Sequence, residues 1–502
     1  MSVPISTCRM MCLGTKLNVL DVLSPMPIPD SHYDAAIAAE KRGDFATAER
    51  EYLAASKVFG ARGDANTRDY YSSLSKLCHQ DVRLMVDQLT EFEKSSRSLA
   101  RNEPSRGCFL GACIDRDDAI RKVSGDNGQF HGDWADFDKR IGRRHATAFM
   151  YLSYGRPAPT NWLSQLARRG MGGQIVMDIK DITQTRDTSY LRAFAADIAR
   201  TRVPVFLRFA GEMNGNWVPY HRDPAAYKEA FKRVADIMHA IAPSIAMVWC
   251  PNWIPQDKID RYYPGPESVD WVGVNFYSVY FRDNNIKRPD PEWHPASCLD
   301  YVYERYSASH PMMIGEWAAS QESQVDGRRR NDFCIDKIIQ LYTALPSRYT
   351  RIKAVHWLSM NALLHAKPGR RLNNYALLGS AEIAAAYRAA TDSPWFLDRC
   401  KQGAQPAIIP QLVAGGDIRM QGPTTLRLDV QTRDQRPVVE WMLAGKVIAT
   451  TTAPSIHRIT ISPQQLSSFH APLVISVKPK RGKPLVVKAT LHRGPVPGRT
   501  PA

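Results

Sequence analysis

Eight short apolar runs alternate with helix-forming segments between residues 105 and 395, and this alternation constrains the fold more than any other feature of the chain. The runs are CFLGACI (108–114), ATAFMYLSY (146–154), QIVMDI (174–179), VPVFLRF (203–209), IAMVWC (245–250), WVGVNFYS (271–278), PMMIGEWA (311–318) and IKAVHWLSM (352–360). Near-continuous apolar strands separated by helices indicate a parallel sheet whose outer face the helices cover. Eight such units in roughly 290 residues predict a closed (β/α)8 barrel rather than an open sheet.

The segments between the runs have clear helix signals. In DPAAYKEAFKRVADIMHAI, Asp223 and Pro224 form a cap and a first turn, and the apolar residues from Tyr227 to Ile241 share one face. No run is followed by GxGxxG or GxxxxGK[ST], so a nucleotide-binding version of the α/β fold lacks its phosphate cradle.

Regions with different sequence periodicity flank the barrel segment, as expected for a multidomain chain of 502 residues. Residues 1–30 form a poor secretory signal and are expected to be a flexible tail. Residues 31–100 have helical periodicity, and the part around Gly43 and Asp44 resembles a tetratricopeptide-type hairpin. Such a hairpin either docks a protein partner or braces the barrel. Residues 408–495 have period-2 strands and predict an all-β sandwich, in which Trp441 resembles the core tryptophan of an immunoglobulin-like domain.

Composition indicates a globular protein and limits the cofactors that we expect it to bind. Hydrophobic residues make up 44% and charged residues 23%, which are globular values, and no apolar run approaches the roughly 20 residues of a transmembrane segment. The nine cysteines have no metal-binding spacing and the thirteen histidines are dispersed, so we predict no metal and no cofactor. We interpret most of the cysteines as small buried hydrophobic residues.

The formal net charge of +16 is concentrated near the carboxyl end. Residues 401–502 contain fourteen Lys or Arg and four Asp or Glu. A basic surface attracts anionic partners such as an acidic polysaccharide, or it serves solubility alone. No motif that combines basic and aromatic residues accompanies the charge, so we predict no nucleic-acid partner.

Carboxylates, amides and aromatic residues follow the apolar runs, at the end of a barrel where active sites form. In chain order they are Asp115, Tyr154, Asp178, Asp181, Glu212, Asn252, Trp253, Asn275, Tyr277, Glu316 and Trp357. Two of them, Glu212 and Glu316, end the fourth and seventh strands and are expected to meet across the mouth. A protonated acid paired with an ionised carboxylate, walled by aromatic rings, suits hydrolysis of a glycosidic bond. A narrow barrel favours the shorter separation of about 5–5.5 Å, which predicts retention of anomeric configuration.

Several motifs in this region resemble glycoside hydrolase family 26. They are LRFAGEMNGNW, MVWCPN, YYPGPESVDWVGVNFYS, MMIGEWA and HWLSMN, and they occur in family order over roughly residues 105–395. The resemblance implies a retaining (β/α)8 enzyme with Glu212 as acid/base and Glu316 as nucleophile. It also implies that Tyr277 hydrogen-bonds the nucleophile and that Arg208 braces the floor behind Glu212. The substrate-binding residues that it implies are Arg208, Asn214, Trp217, Asn275, Tyr277 and Trp357.

Two positions depart from the family pattern. Mannan-cleaving members usually have His before the acid/base, where this chain has Gly211, and often have Asp where it has Asn275. Both changes weaken the inference to mannan and leave the two glutamates in place. Asp178 and Asp181 have a simpler interpretation as caps of the following loop.

The sequence therefore predicts a retaining endo-β-glycanase acting on a mannan, a β-glucan or a bacterial exopolysaccharide. The alternative is a non-catalytic glycan-binding or scaffolding protein of a polysaccharide-production system. The helical region and the basic carboxyl end would serve such a system through a protein partner and an acidic polymer. The compartment stays open, although a polysaccharide substrate favours the periplasm or the exterior.

Overall fold

A closed barrel of eight parallel strands is the central domain of this computed structural model, which describes residues 31–79, 81–89, 98–413, 416–432, 436–480 and 483–494. The strands are β2 (Cys108–Arg116), β5 (Thr147–Ser153), β6 (Gly172–Asp178), β7 (Val205–Phe209), β8 (Ile245–Trp249), β9 (Trp271–Ser278), β10 (Met312–Ala319) and β12 (Ile352–Met360). Each pairs in parallel with the next, and β12 pairs with β2 to close the ring. All eight predicted strands are confirmed.

Helices cover the outside of the barrel as predicted. They are α4 (Trp134–Ile141), α5 (Thr160–Ala167), α6 (Ser189–Thr201), α7 (Pro224–Ile241), α8 (Gln256–Ile259), α9 (Asp300–Tyr306), α10 (Asn331–Arg348), α11 (Ala362–His365) and α12 (Ala381–Thr391). The Asp223 side chain caps α7 by accepting from the amides of Ala225 and Ala226, and the face from Tyr227 to Met238 is buried. Short strands β3 (Lys122–Ser124), β4 (Phe130–Gly132), β11 (Glu322–Ser323), β13 (Asn373–Asn374) and β14 (Phe396–Leu397) complete this domain.

Large side chains fill the barrel interior, so the barrel is a packed core and not a pore. Phe109, Phe206, Val248, Trp271 and Met313 have no exposed surface and form one cluster. Chemistry is therefore confined to the layer above this cluster, at the carboxyl ends of the strands.

The amino-terminal region contains three helices, α1 (Ser31–Lys41), α2 (Phe45–Ala61) and α3 (Ala65–Leu77), followed by a strand, β1 (Asp81–Leu89). The expectation of helix throughout residues 31–100 is wrong for β1. This strand pairs antiparallel with two strands more than 300 residues later in the chain, β15 (Ile408–Leu412) and β17 (Thr424–Gln431). Periodicity within the segment carries no signal of such distant partners. The tetratricopeptide likeness of α1 and α2 stays a prediction.

The carboxyl-terminal domain is a pair of sheets. Its remaining strands are β16 (Asp417–Met420), β18 (Val438–Leu443), β19 (Lys446–Thr452), β20 (Ile456–Ile461), β21 (His470–Lys478) and β22 (Leu485–Arg493). One sheet has the order β15-β1-β17-β20 and the other β16-β22-β21-β18-β19. Both sheets contribute to one core, in which Leu84 and Leu428 meet Trp441 and Ile475. The predicted sandwich therefore includes a strand from the amino-terminal region, and its immunoglobulin-like assignment stays a prediction.

Buried ion pairs join the sandwich to the base of α10. Arg348 is 5% exposed at its side chain and pairs with Asp81 of β1 and with Asp429 of β17, the latter at 2.7 Å. Ser347 donates to the same Asp429 at 2.7 Å. Breaking one member of such a buried network leaves an uncompensated charge, so the contact fixes the sandwich against the barrel.

Seven cysteines lie in the described residues, and all seven are buried, as their interpretation as small hydrophobic residues predicts. Cys8 and Cys12 lie with the predicted tail of residues 1–30, outside the described residues. Among the described helices, none combines the length and the hydropathy that crossing a membrane requires.

Candidate active site

The two glutamates lie at the carboxyl ends of the fourth and seventh barrel strands, as predicted. Glu212 follows β7, in a turn where Ala210 and Glu212 adopt left-handed backbone angles (φ 46° and 58°). Left-handed geometry is strained for residues with a Cβ and persists where the surroundings enforce it. Glu316 lies within β10 and is 8% exposed, and a register shift after Ile314 places it opposite Asn275 of β9.

The Glu316 carboxylate is held by a cation and a phenol. Arg208 Nη2 donates to Glu316 Oε2 at 2.8 Å, and the Tyr277 hydroxyl donates to Glu316 Oε1. The predicted hydrogen bond from Tyr277 is thus present. Burial raises the pKa of Tyr277 and of Tyr151, and the charge of Glu316 adds to both shifts, so these phenols stay protonated.

The Glu212 carboxylate is held by neutral donors. Trp217 Nε1 donates to Glu212 Oε2 at 2.7 Å, and the side-chain amides of Asn275 and Asn252 donate to Oε1 at 3.0 and 3.4 Å. Within the described part of the chain, no Lys, Arg or His forms an ion pair with this carboxylate. The two glutamates therefore differ in environment, since a guanidinium neutralises one of them and amides and an indole surround the other.

Asn275 connects the two glutamates through Arg208. Its Oδ1 accepts from Arg208 Nη1 at 3.1 Å while its amide donates to Glu212. Arg208 is 3% exposed, and although burial lowers its pKa, the charge of Glu316 reverses this and raises it overall. The predicted role of Arg208, bracing the floor behind Glu212, stays a prediction. The guanidinium binds Glu316 directly and reaches Glu212 only through Asn275.

Two glycines make room for this arrangement. A Cβ on Gly215 would lie 2.3 Å from the Trp217 ring, and a Cβ on Gly315 would lie 2.8 Å from Asn275 Oδ1 and 3.1 Å from Arg208 Nη1. Gly211, where the family pattern has His, is less crowded than these two glycines. A Cβ there would lie 3.5 Å from Cys250 O, an ordinary van der Waals distance. Gly215 and Gly315 are thus required by close packing.

The other predicted substrate-binding residues are placed differently. Trp217 is 39% exposed and presents an accessible ring beside Glu212. Trp357 has no exposed surface; its Nε1 donates to Tyr375 O at 2.9 Å and its ring packs against Trp317. Asn214 is 1% exposed. Its side-chain Nδ2 donates to the backbone carbonyls of Asn252 and Pro255, and its Oδ1 accepts from the backbone amide of Asn252. Trp357 and Asn214 are thus buried against protein partners, and their roles in substrate binding stay predictions.

A third carboxyl group at the mouth belongs to Asp178, which the sequence analysis interprets as a cap of the following loop. Asp178 ends β6, half-buried, and within the described residues its carboxylate accepts no hydrogen bond. Burial raises its pKa to about 7, the Arg208 charge opposes the shift, and the charges of Glu316 and Glu212 add to it. Asp181 fits the simpler interpretation, since it caps the turn at Thr183. Asp178 does not cap, and its position at a strand end was the available signal.

The amino-terminal helices form a wall next to the site. Tyr70 of α3 stacks on Trp293 with ring centroids 5.1 Å apart, and the Arg282 guanidinium lies 3.4 Å from the Tyr70 centroid. Trp293 contacts Trp253, which follows Asn252. Asp69 accepts from the backbone amide of Gln256 at 2.8 Å. These contacts favour the interpretation of the helices as a brace for the loops after β8 and β9.

A closed (β/α)8 barrel with two carboxylates at its mouth has a fold and a pair of groups suited to glycoside hydrolysis. Residues 178–288 match the model of Glycosyl hydrolase family 26, a segment that contains Glu212, Asn275 and Tyr277. Over this segment, less than a quarter of the chain, the sequence is similar to that family.

Parts of this chain are similar in sequence to two polysaccharide-cleaving enzymes. A β-1,3-xylanase from Vibrio sp is 28% identical over 82 residues, which are 15% of this chain and 17% of that protein. Endoglucanase H from Acetivibrio thermocellus is 23% identical over 226 residues, which are 42% of this chain and 22% of that protein. Both matches span less than a quarter of the relative's length.

Two solved structures described as family 26 enzymes match this chain at low TM-scores. A β-mannanase from Bacteroides ovatus gives a TM-score of 0.41 at 14% identity over 58% of this chain and 90% of that chain. The catalytic domain of an endo-β-1,4-mannanase from Bacillus sp. JAMB-750 gives 0.43 at 13% identity over 61% and 96%.

Proposed function

We propose that the barrel hydrolyses internal β-glycosidic bonds of a polysaccharide with retention of configuration. The observation that carries the proposal is the unequal environment of the two glutamates. Arg208 places a positive charge against Glu316, which suits an anion that attacks carbon. Glu212 contacts neutral donors, which suits a group that exchanges a proton with the leaving oxygen and then with water.

The proposed reaction is a double displacement. A Glu316 oxygen bonds to the anomeric carbon as the glycosidic bond breaks, and Glu212 gives its proton to the departing oxygen. In the second step Glu212 removes a proton from water, the water oxygen bonds to the anomeric carbon, and the bond to Glu316 breaks. Retention requires the carboxyl groups to lie about 5–5.5 Å apart.

Trp217 is the residue best placed to hold the sugar. It is the exposed aromatic ring that is hydrogen-bonded to a glutamate, and a flat indole face packs on the apolar face of a pyranose. The names of the relatives, a β-1,3-xylanase and an endoglucanase, support a β-linked polymer and cleavage within the chain. Glucan, mannan, xylan and exopolysaccharide backbones all remain candidates.

The test is sugar release by wild type, Glu212→Ala and Glu316→Ala from a panel of β-glucans, mannans, xylans and exopolysaccharides. Glu229→Ala, on the exposed face of α7, is the matched control. We expect wild type and the control to cleave one polymer and both site variants to lose at least about 10³-fold in kcat. Equal and negligible release by all four proteins, with retained binding to one polymer, would support the non-catalytic glycan-binding alternative.

A further inference from the structure

One side of the barrel mouth carries an excess of basic side chains. The loop after β12, residues 361–376, contains Lys367, Arg370 and Arg371 and no Asp or Glu. All three basic side chains are exposed. By contrast, the loop after β2, residues 117–133, has two basic and four acidic residues. The charge is therefore a local feature of the mouth and does not simply follow from the basic composition of the chain.

The neighbouring loop extends the same surface. The loop after β10, residues 320–330, contains Arg328, Arg329 and Arg330, and it joins the loop after β12 through the β11–β13 pairing and the bond from Gln324 N to Leu372 O at 2.9 Å. Arg330 is paired with Asp326. Arg328 and Arg329 are exposed, and Arg329 lies 3.7 Å from Glu322, a surface pair that leaves its guanidinium accessible. We call Arg328, Arg329, Lys367, Arg370 and Arg371 the cationic rim.

The cationic rim belongs to the same structural unit as the glutamates. Its loop ends at Tyr375, whose ring lies 5.2 Å from the ring of Tyr277, the residue that donates to Glu316. Trp357 Nε1 and the Met360 carbonyl hold the backbone of Tyr375, at 2.9 Å each. Tyr375 therefore links the loop that carries most of the rim to the residue that donates to Glu316.

We propose that the cationic rim binds acidic groups of an anionic polysaccharide whose backbone is cleaved at Glu212 and Glu316, so that the substrate is a carboxylated β-glycan. This inference rests on the proposed function. Guanidinium groups match carboxylates through paired N–H donors, and four of the five rim residues are Arg. The link through Tyr375 and Tyr277 favours a glycan over an anionic membrane, because a membrane needs no path to the glutamates.

The experiment compares matched polymers. Glu316→Gln is assayed by affinity electrophoresis in carboxymethylcellulose against hydroxyethylcellulose, and in glucuronoxylan against its carboxyl-reduced form. The rim variant combines Lys367→Ser, Arg370→Ser and Arg371→Ser in the Glu316→Gln protein and is assayed in the same way. The control carries Lys446→Ser, Lys483→Ser and Lys488→Ser, three exposed lysines of the sandwich with the same loss of charge. Wild-type hydrolysis of each polymer is measured in parallel.

We expect the protein to bind the carboxylated member of at least one polymer pair about fivefold to tenfold more tightly than the uncharged member. This factor assumes three exposed ion pairs that each improve the affinity roughly twofold. The rim variant loses this preference, the lysine control keeps it, and 0.5 M NaCl removes it. Equal binding to both members, or equal loss in rim variant and control, overturns the proposal. Preferential sedimentation with phosphatidylglycerol vesicles, without a glycan preference, overturns it in favour of a membrane. Absence of hydrolysis with an intact binding preference counts against the proposed function and leaves the rim standing.

Discussion

The side-chain amide of Asn275 donates to Glu212 Oε1 at 3.0 Å, and through its other atom Asn275 accepts from the guanidinium that holds Glu316. One neutral side chain thus positions both glutamates. An Asp at this position would still accept from Arg208, but it would replace the donor to Glu212 with a second negative charge.

We expect Asn275→Ala to lower kcat by about 10²-fold with little change in KM, because misplaced reacting groups affect the transition state more than substrate binding. Asn275→Asp should also lower kcat, since it restores the partner of Arg208 but not the donor to Glu212. Kinetics on the cleaved polymer over pH 4–9 measure both effects. A wild-type kcat and pH profile in both variants would show that Asn275 is only structural.

The two glycines that precede the glutamates form a matched pair. Gly315→Ala puts a Cβ 2.8 Å from Asn275 Oδ1 and 2.9 Å from Cys250 Sγ, so we expect a loss of about 1–3 kcal/mol in the free energy of unfolding and at least about tenfold in kcat. Gly211→Ala meets Cys250 O at 3.5 Å and should change stability by less than about 1 kcal/mol. Urea unfolding and initial rates compare the two. Equal effects of both substitutions would contradict the packing argument.

Strand β1 makes the amino-terminal region part of the sandwich. Leu84 is 6% exposed in the sandwich core, and we expect Leu84→Ala to lower the stability of the sandwich by about 2–5 kcal/mol. Hydrogen exchange of β17, followed by mass spectrometry, should accelerate in this variant. Gln88→Ala, at an exposed position of the same strand, is the control and should leave exchange unchanged. Unaltered exchange in Leu84→Ala would mean that β1 does not contribute to the sheet.

Asp178 should make the stability of the barrel depend on pH. Its pKa rises from 3.8 to about 7 on folding, so between about pH 4 and pH 7 the unfolded chain is ionised where the folded chain holds a proton. The contribution of this group to stability therefore falls as pH rises through that window. Asp178→Asn has no such group, and its stability relative to wild type should rise from pH 4 to pH 7 and then level off. Thermal unfolding across pH 4–9 measures the difference, and a constant difference would contradict the shift.

Much of the barrel was predictable because its strands are continuous apolar runs whose signal lies within each segment. Strand β1 was not, since its partners lie over 300 residues downstream and its buried residues Leu84, Met85 and Val86 are consecutive rather than alternating. Pairing of this kind leaves no local pattern.

The glutamates were predictable from their positions at strand ends, and the bond from Tyr277 to Glu316 from the family resemblance, but the ion pair of Arg208 with Glu316 was not. Which carboxylate receives Arg208 depends on the register shift after Ile314, a detail of sheet geometry that the sequence does not display. The burial of Trp357 likewise follows from the return of the loop at Tyr375. Asp178 became notable only when its lack of partners and its desolvation were visible.

The measurement that tests the central claim most directly is proton NMR of the anomer first formed from the cleaved polymer. A β-linked substrate should give the β anomer first, with the α anomer appearing later by mutarotation, because Glu316 attacks and water then displaces it from the opposite face. The α anomer as the first product would show inversion by a single displacement and would contradict the assignment of Glu316 as the nucleophile.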